Sequence, residues 1–410
     1  GALLRREVVA PMRRILSILN SFARNPQRKI VSETEDFHRK PDEDSTQLLE
    51  TEVLRNSVFK FGSLLQVGFG EAGAEMLSKT LNDRTGGRGR GLALQTFGGH
   101  LNTGKVVHAF FGYCDIRHFT DLTEVLQADV VKVVNLCAWL IHKSVHDNNG
   151  APNKNVGDAF LVVWKSKGGM GVREVADAAL RSLVRTVLCV SRSVDLARLA
   201  ERREVQERLP GFAVRLGYGL HYGWAVECAI GSDLKVDTSY ISSHVNLATR
   251  LEEATKHYGV SILISGQTHG LLSPYIQSLC RLVDKVVVKG TIHPFELYTY
   301  DVPVSSSSSA ISDFFATNPS ITNPQFFAAL TPSTTPEFKT RFAEAIDCYL
   351  GGPDGSEADW PKACAMLTWC LELKPKDGPC LAIIGDIERK AKSDGNCPST
   401  WRGFRLLDTK

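Results

Sequence analysis

Across residues 105–301, short runs rich in β-branched and aromatic residues alternate with helical stretches, and sequence that cannot pack bounds the block on both sides. Residues 106–113 and 159–164 read as strands, residues 122–146 and 174–199 as helices. Strands mixed with helices indicate an α/β or α+β core. Upstream, DRTGGRGRG over residues 83–91 is too rich in glycine and arginine to pack and marks a boundary. Downstream, serines 305–309 followed by Pro319, Pro324, Pro332 and Pro336 read as a linker that sustains no element. The 410 residues therefore divide into a helical segment (1–100), a central domain (101–303), a Ser/Pro-rich linker (304–336) and a helical C-terminal extension (337–410).

The flanks carry their own patterns. Met12, Ile15, Leu19 and Phe22 draw one apolar seam, and Leu54, Val58, Phe61 and Leu65 a second, behind a capping box of Asp44 and Gln47. Such seams suit a coiled coil or a helix lying on its own domain. In the tail, Phe342, Ile346 and Tyr349 line one helix face and Ala363, Met366, Leu367, Cys370 and Leu371 the next. This predicts a helix pair, similar to one tetratricopeptide hairpin, that must dock on something. Gly68, Gly70 and Gly73 spell G-x-G-x-x-G, but helical periodicity precedes them and no acidic residue follows at the ribose-binding distance, so a dinucleotide site is rejected.

Composition narrows the function classes. Hydrophobic residues make up 43% and charged residues 23%, enough to bury a real core. A net charge of +3 without a basic stripe argues against nucleic acid as partner. The 10 cysteines form no C-x-x-C pair and read as free thiols of a reducing compartment. No uninterrupted apolar run approaches the roughly 18 residues of a membrane span, so the chain as given is expected to be cytoplasmic. It opens on Gly1 rather than Met, which leaves room for an upstream sensor or membrane segment.

Three stretches can carry chemistry. In the first, the apolar run ending at Tyr113 and Cys114 delivers Asp115, and a turn then opens into a helix expected to be capped by Asp121 with Glu124. A carboxylate at a strand end can hold a divalent cation while helix-start amides take phosphate oxygens, though Asp there also serves as a plain turn former. In the second, Val156-Gly157-Asp158 reads as a hairpin turn that exposes Asp158, again ordinary turn chemistry when taken alone. In the third, Asn246 and Arg250 project four residues apart from one helix face, where an amide and a guanidinium can clamp phosphate, though a surface pair without function has the same spacing.

In this order the three stretches resemble the class III nucleotidyl cyclases, with a local flavour similar to protist and algal members. The resemblance implies an α+β, ferredoxin-like catalytic domain with helical N-terminal and C-terminal extensions. Asp115-Ile116-Arg117-His118-Phe119-Thr120 matches the motif D-I-x-G-F-T, which implies that Asp115 and the Ile116 carbonyl bind metal while amides around Phe119 and Thr120 cradle the triphosphate. Asp158 falls on the second metal aspartate, Lys154 on the lysine that reads adenine, and Ser239 on the second purine contact. Asn246 matches the ribose-orienting residue, Arg250 the one that stabilises the pentavalent phosphorus, and Lys289 the lysine on the terminal phosphates.

The resemblance further implies conversion of ATP to 3′,5′-cyclic AMP and pyrophosphate, with two Mg²⁺ or Mn²⁺ ions per active site, at the interface of a homodimer. The N-terminal seam would then set the rotation of the two domains, and the C-terminal helices would take an unidentified protein partner. His118 stands where the family has glycine and demands an unusual backbone angle; Ser242 replaces another family glycine. Ser239 is neither the Asp nor Thr of adenylyl cyclases nor the Cys of guanylyl cyclases. A guanylyl cyclase and a cyclase-like module without catalysis therefore stay open.

Overall fold

The computed structural model describes residues 104–166, 168–232, 235–303, 323–330, 334–351, 357–391 and 395–407. The two N-terminal seams, the Asp44 cap, the Gly68 glycine motif, the boundary at residues 83–91, serines 305–309, Pro319 and Pro332 lie outside the described residues. The described residues fall into two compact units, those within 107–225 and 242–407, and those within 104–106 and 226–241.

The elements are, in chain order, β1 (Lys105–Ile116), α1 (Phe119–Leu126), α2 (Val130–Asp147), β2 (Ala151–Val156), β3 (Ala159–Lys165), α3 (Val172–Ser191), α4 (Val194–Ala200) and α5 (Arg203–Arg208). There follow β4 (Leu216–Ser232), β5 (Lys235–Ile241), α6 (Ser243–Tyr258), β6 (Ile262–Ser265), α7 (Gly266–His269), α8 (Pro274–Leu279), β7 (Arg281–Val288) and β8 (Phe295–Thr299). The C-terminal part adds α9 (Asn323–Ala328), α10 (Pro336–Leu350), α11 (Trp360–Leu373), α12 (Gly378–Lys390) and β9 (Arg405–Leu407).

In the larger unit one mixed sheet runs in the order β2-β3-β1-β4-β6-β8-β7-β9. The α+β class expected from the sequence holds. β1 can be an interior strand because Phe110 and Phe111 point to opposite faces and both are buried. Helix α2 turns Val133, Cys137, Ile141 and Val145 into the core at helical spacing, and α3 supplies Leu180, Leu183, Val184 and Val187. Over residues 119–147 the chain is long and apolar enough to cross a membrane by composition, yet its Leu122-to-Val145 row belongs to this core. In the smaller unit, the end of β4 pairs antiparallel with β5, and Tyr240 donates a 2.7 Å hydrogen bond to Glu227.

Three expected elements differ. The helix read over residues 122–146 starts earlier, at Phe119, with His118 rather than Asp121 as its N-cap, and it breaks at Gln127, whose φ is 47°. Asp121 and Glu124 do not cap it; they face Arg208 at 3.1 and 3.3 Å. The stretch at residues 174–199 is two helices, parted where the Ser193 hydroxyl accepts from the Leu196 amide. The linker holds a helix, α9, because Phe326 and Phe327 bury themselves in the main core, and burying two phenylalanines outweighs a proline-rich context.

The tail is three helices and a short strand rather than a helix pair, and the face expected to need a partner is buried in a core that the three helices form together, against which Leu282 of the sheet packs. β9 adds to β7 in parallel. At the junction, Arg281 of β7 reaches Asp301 and Asp377, each at 2.7 Å, and stacks 4.5 Å from the Phe342 ring. Burial pushes the Asp377 carboxyl up, but Arg281 and Lys374 outweigh it and hold the group down at about 2. Arg405 of β9 sits 3.1 Å from the fully buried Asp284. Removing one partner of such a cluster strands the others without compensation, so Arg281→Met is expected to lower stability by about 3–5 kcal/mol in urea unfolding.

Candidate active site

β1 carries its apolar run to Asp115 and Ile116, and its register sets Asp115 opposite Ala159, the residue after Asp158. Asp158 follows Gly157, which takes φ 64° in the tight turn between β2 and β3, the geometry that V-G-D predicts. A strand end and a hairpin turn thus deliver two carboxylates to one place. Both line a cavity of about 570 Å³ together with Ile116, Phe119, Thr120 and Arg215. Burial, and then hydrogen bonding and repulsion from Asp115, push the Asp158 carboxyl up to about 6. Ionising one acid beside another costs free energy that a bound cation would relieve.

The turn after Asp115 takes an unusual angle at His118, φ 57° and ψ 31° in the left-handed region, as its place in the glycine position of the motif demanded. Its ring meets Phe212 edge-on at 6.2 Å. That turn starts α1, and Phe119 and Thr120 of its first turn line the cavity, where helix-start amides suit an anion.

Helix α6 closes the other wall. It lies so tightly on β4 that a Cβ at Gly219 would sit 2.0 Å from the Ala248 carbonyl oxygen, and one at Gly217 would meet the Arg117 guanidinium. That guanidinium crosses to α6, 2.7 Å from Glu252 and hydrogen-bonded to Thr255. Burial pushes Glu252 up to about 7 despite Arg117. One turn on, Lys256 reaches Asp115 at 2.8 Å. At the helix start, buried His221 of β4 bonds Ser265 Oγ at 2.7 Å and His244 at 2.8 Å; burial and His244 hold it neutral, with its pKa down to about 3.

Of the sequence-predicted residues, the cavity brings together Asp115, Ile116, Phe119, Thr120 and Asp158. Four others in the larger unit do not line it. Lys154 is half-buried on β2, opposite Leu161. Asn246 is exposed on α6, where half-buried Arg250 pairs with Glu253 at 2.7 Å. Lys289 is exposed in the turn after β7. Ser239 belongs to the smaller unit, where its carbonyl lies 3.9 Å from the Cys228 thiol.

Sequence reasoning missed the cavity's cations, Arg117, Arg215 and Lys256. Lys256 had a signal: at about 100° per residue it projects roughly 120° away from Arg250, so α6 presents different faces at its two ends. Arg215 had none beyond preceding a strand.

The donor set suits a hard divalent ion. It offers two carboxylates, which matches ions that take one or two protein carboxylates and complete their shell with water and phosphate oxygens. Among the described residues no group of three or more His, Cys, Asp and Glu converges on a metal position.

The chain is similar to several known proteins. The chain is 27% identical over 189 residues to an adenylate cyclase of Anabaena cylindrica, covering 45% of this chain and 35% of that protein. It is 28% identical over 198 residues to the terminal-differentiation-specific adenylate cyclase of Dictyostelium discoideum, covering 47% of this chain and 8% of that one. It is 28% identical over 179 residues to adenylate cyclase 1 of Rhizobium meliloti, covering 43% and 25%. The chain thus matches about a third or less of each relative's length. Among solved structures, a bacterial light-regulated adenylyl cyclase aligns with TM-score 0.47 and 18% identity over 66% of this chain and 69% of that one. An adenylyl cyclase from P. aeruginosa aligns with TM-score 0.38 and 26% identity over 48% and 94%. A family model described as the RasGEFs all helical domain matches residues 3–82, outside the described residues.

The Asp158 carboxyl in the fold lies above its ordinary 3.8, so its ionisation costs stability as pH rises from about 4 through about 6. Asp158→Asn is therefore expected to stabilise the metal-free chain by about 1 kcal/mol at pH 8, after solvent screening, with the gain gone near pH 4; urea unfolding at both values reads this. His118→Gly relieves a left-handed side chain and is expected to add about 1 kcal/mol in the same assay.

Proposed function

We propose that this chain, a relative of the class III nucleotidyl cyclases, is an adenylyl cyclase that converts ATP to 3′,5′-cyclic AMP and pyrophosphate between two copies of itself. The observation that supports this most is the meeting of Asp115 and Asp158 in one cavity beside the start of α1. Cyclisation needs the ribose 3′ oxygen to attack the α-phosphorus while pyrophosphate leaves in line, with charge growing on phosphoryl oxygens. Asp115, Asp158 and the Ile116 carbonyl would hold Mg²⁺ or Mn²⁺. When bound, such ions acidify the hydroxyl and neutralise phosphate charge.

The chain's own groups do the rest. Amides at Phe119 and Thr120 donate to phosphate oxygens at a helix start, and Arg215 adds a cation to the same cavity. Exposed Asn246 and half-buried Arg250, both on α6 and outside the cavity, are supplied to a second copy's site, where they orient ribose and stabilise the α-phosphoryl charge. Lys154 and Ser239 contact the purine, the lysine favouring adenine, and Lys289 holds terminal phosphates.

The test is cyclic AMP formation by the purified chain with ATP and Mg²⁺ or Mn²⁺. Asp115→Asn, Asp158→Asn and Arg250→Ala are each expected to lower kcat at least about 100-fold. An equal mixture of Asp158→Asn and Arg250→Ala chains is expected to recover about one quarter of the wild-type rate, because half the dimers then hold one intact site. No cyclic nucleotide from ATP would overturn the reading; faster turnover of GTP would reassign it to a guanylyl cyclase, the second reading that Ser239 favours.

A further inference from the structure

We propose that Lys256 is a built-in counter-ion of the metal carboxylates, which holds Asp115 when no metal is bound and must be exchanged for the divalent ion before the cavity can work. The inference rests on the reading of Asp115 and Asp158 as metal ligands. Its basis is the 2.8 Å pair between Lys256 Nζ and Asp115 Oδ2. The lysine competes for the oxygen that a cation would need.

Geometry makes the pair exchangeable rather than structural. The Lys256 side chain is 54% exposed while Asp115 is only 14% exposed, so the ammonium reaches in from solvent and its release costs little desolvation. The neighbouring pair is built differently. Arg117 and Glu252 are 13% and 3% exposed, and Arg117 is further fixed by Thr255. One pair on α6 therefore locks the end of β1 in place, and the next turn offers a removable charge.

The exchange has a chemical use. Without a cation, Asp115 and Asp158 repel each other, and a single ammonium on Asp115 relieves this at modest strength. A divalent ion bridging both acids replaces it, and the freed ammonium leaves positive charge beside a cavity that must then admit a polyanion. The lysine thus lowers affinity for bare metal.

The test measures Mn²⁺ binding to the full chain by isothermal titration at pH 8 without nucleotide, so that turnover plays no part. Lys256→Met, at an exposed helix position that tolerates it, is expected to lower the Kd for Mn²⁺ about fivefold, and Lys256→Arg to restore a value near wild type. Asp158→Asn should abolish binding in both backgrounds. An unchanged or weaker Kd in Lys256→Met overturns the proposal while leaving the metal site intact. Absence of Mn²⁺ binding in wild type and Lys256→Met alike overturns both it and the metal reading, whereas binding without cyclic AMP formation sinks the cyclase reading alone.

Discussion

The approach of α6 to β4 is the contact on which the site depends. Strand residues 217, 219, 221 and 223 share one face, and three of them are glycines where a side chain would strike Arg117, the α6 backbone or His244. With no Cβ in the way, the helix lies against the strand at backbone distance, and a line of small shifts is forbidden by close packing. His221 on the same face holds His244 at the helix start, and Arg117 holds Glu252 toward its end. One helix is thereby fixed at both ends against the strands that carry the carboxylates.

Two clusters of opposite charge in the same unit show how burial separates structural from working groups. Around Arg281, both carboxylates are paired and at most 11% exposed, and the cation stacks on aromatic rings. Every charge there is answered. In the cavity, Asp158 lacks such an answer and its carboxyl rises to about 6, while Lys256 reaches Asp115 from solvent. An arrangement left electrostatically short in an open cavity has capacity to take a ligand; one closed on itself holds the tail to the sheet.

Much of this was legible in the sequence where a residue type forces a local shape. The apolar run into Asp115, the Gly157 turn before Asp158 and the left-handed demand on His118 are each set by a few adjacent residues, and each is seen. Helix ends were less legible: Asp121 looked like a cap, but Arg208, distant in sequence, draws it and Glu124 outward. The tail's docking depends on pairings such as Arg281 with Asp377 that no local spacing reveals. Likewise α9 forms because two phenylalanines find a core built by other segments. Lys256 escaped notice because motif reasoning followed the face of Asn246 and Arg250, and the opposite charge it meets lies on β1.

The tail bears on how α6 can move. Arg405 of β9 contacts His257 at 2.6 Å, and Gly378 at the start of α12 approaches so closely that a Cβ there would lie 2.1 Å from the Tyr258 carbonyl oxygen. Tyr258 itself donates a 2.6 Å hydrogen bond to buried Asp284. The C-terminal end of α6 is therefore held by β1 on one side and by the tail on the other, next to Lys256. A tail that lines no part of the cavity thus helps to fix the helix that carries Lys256, Asn246 and Arg250.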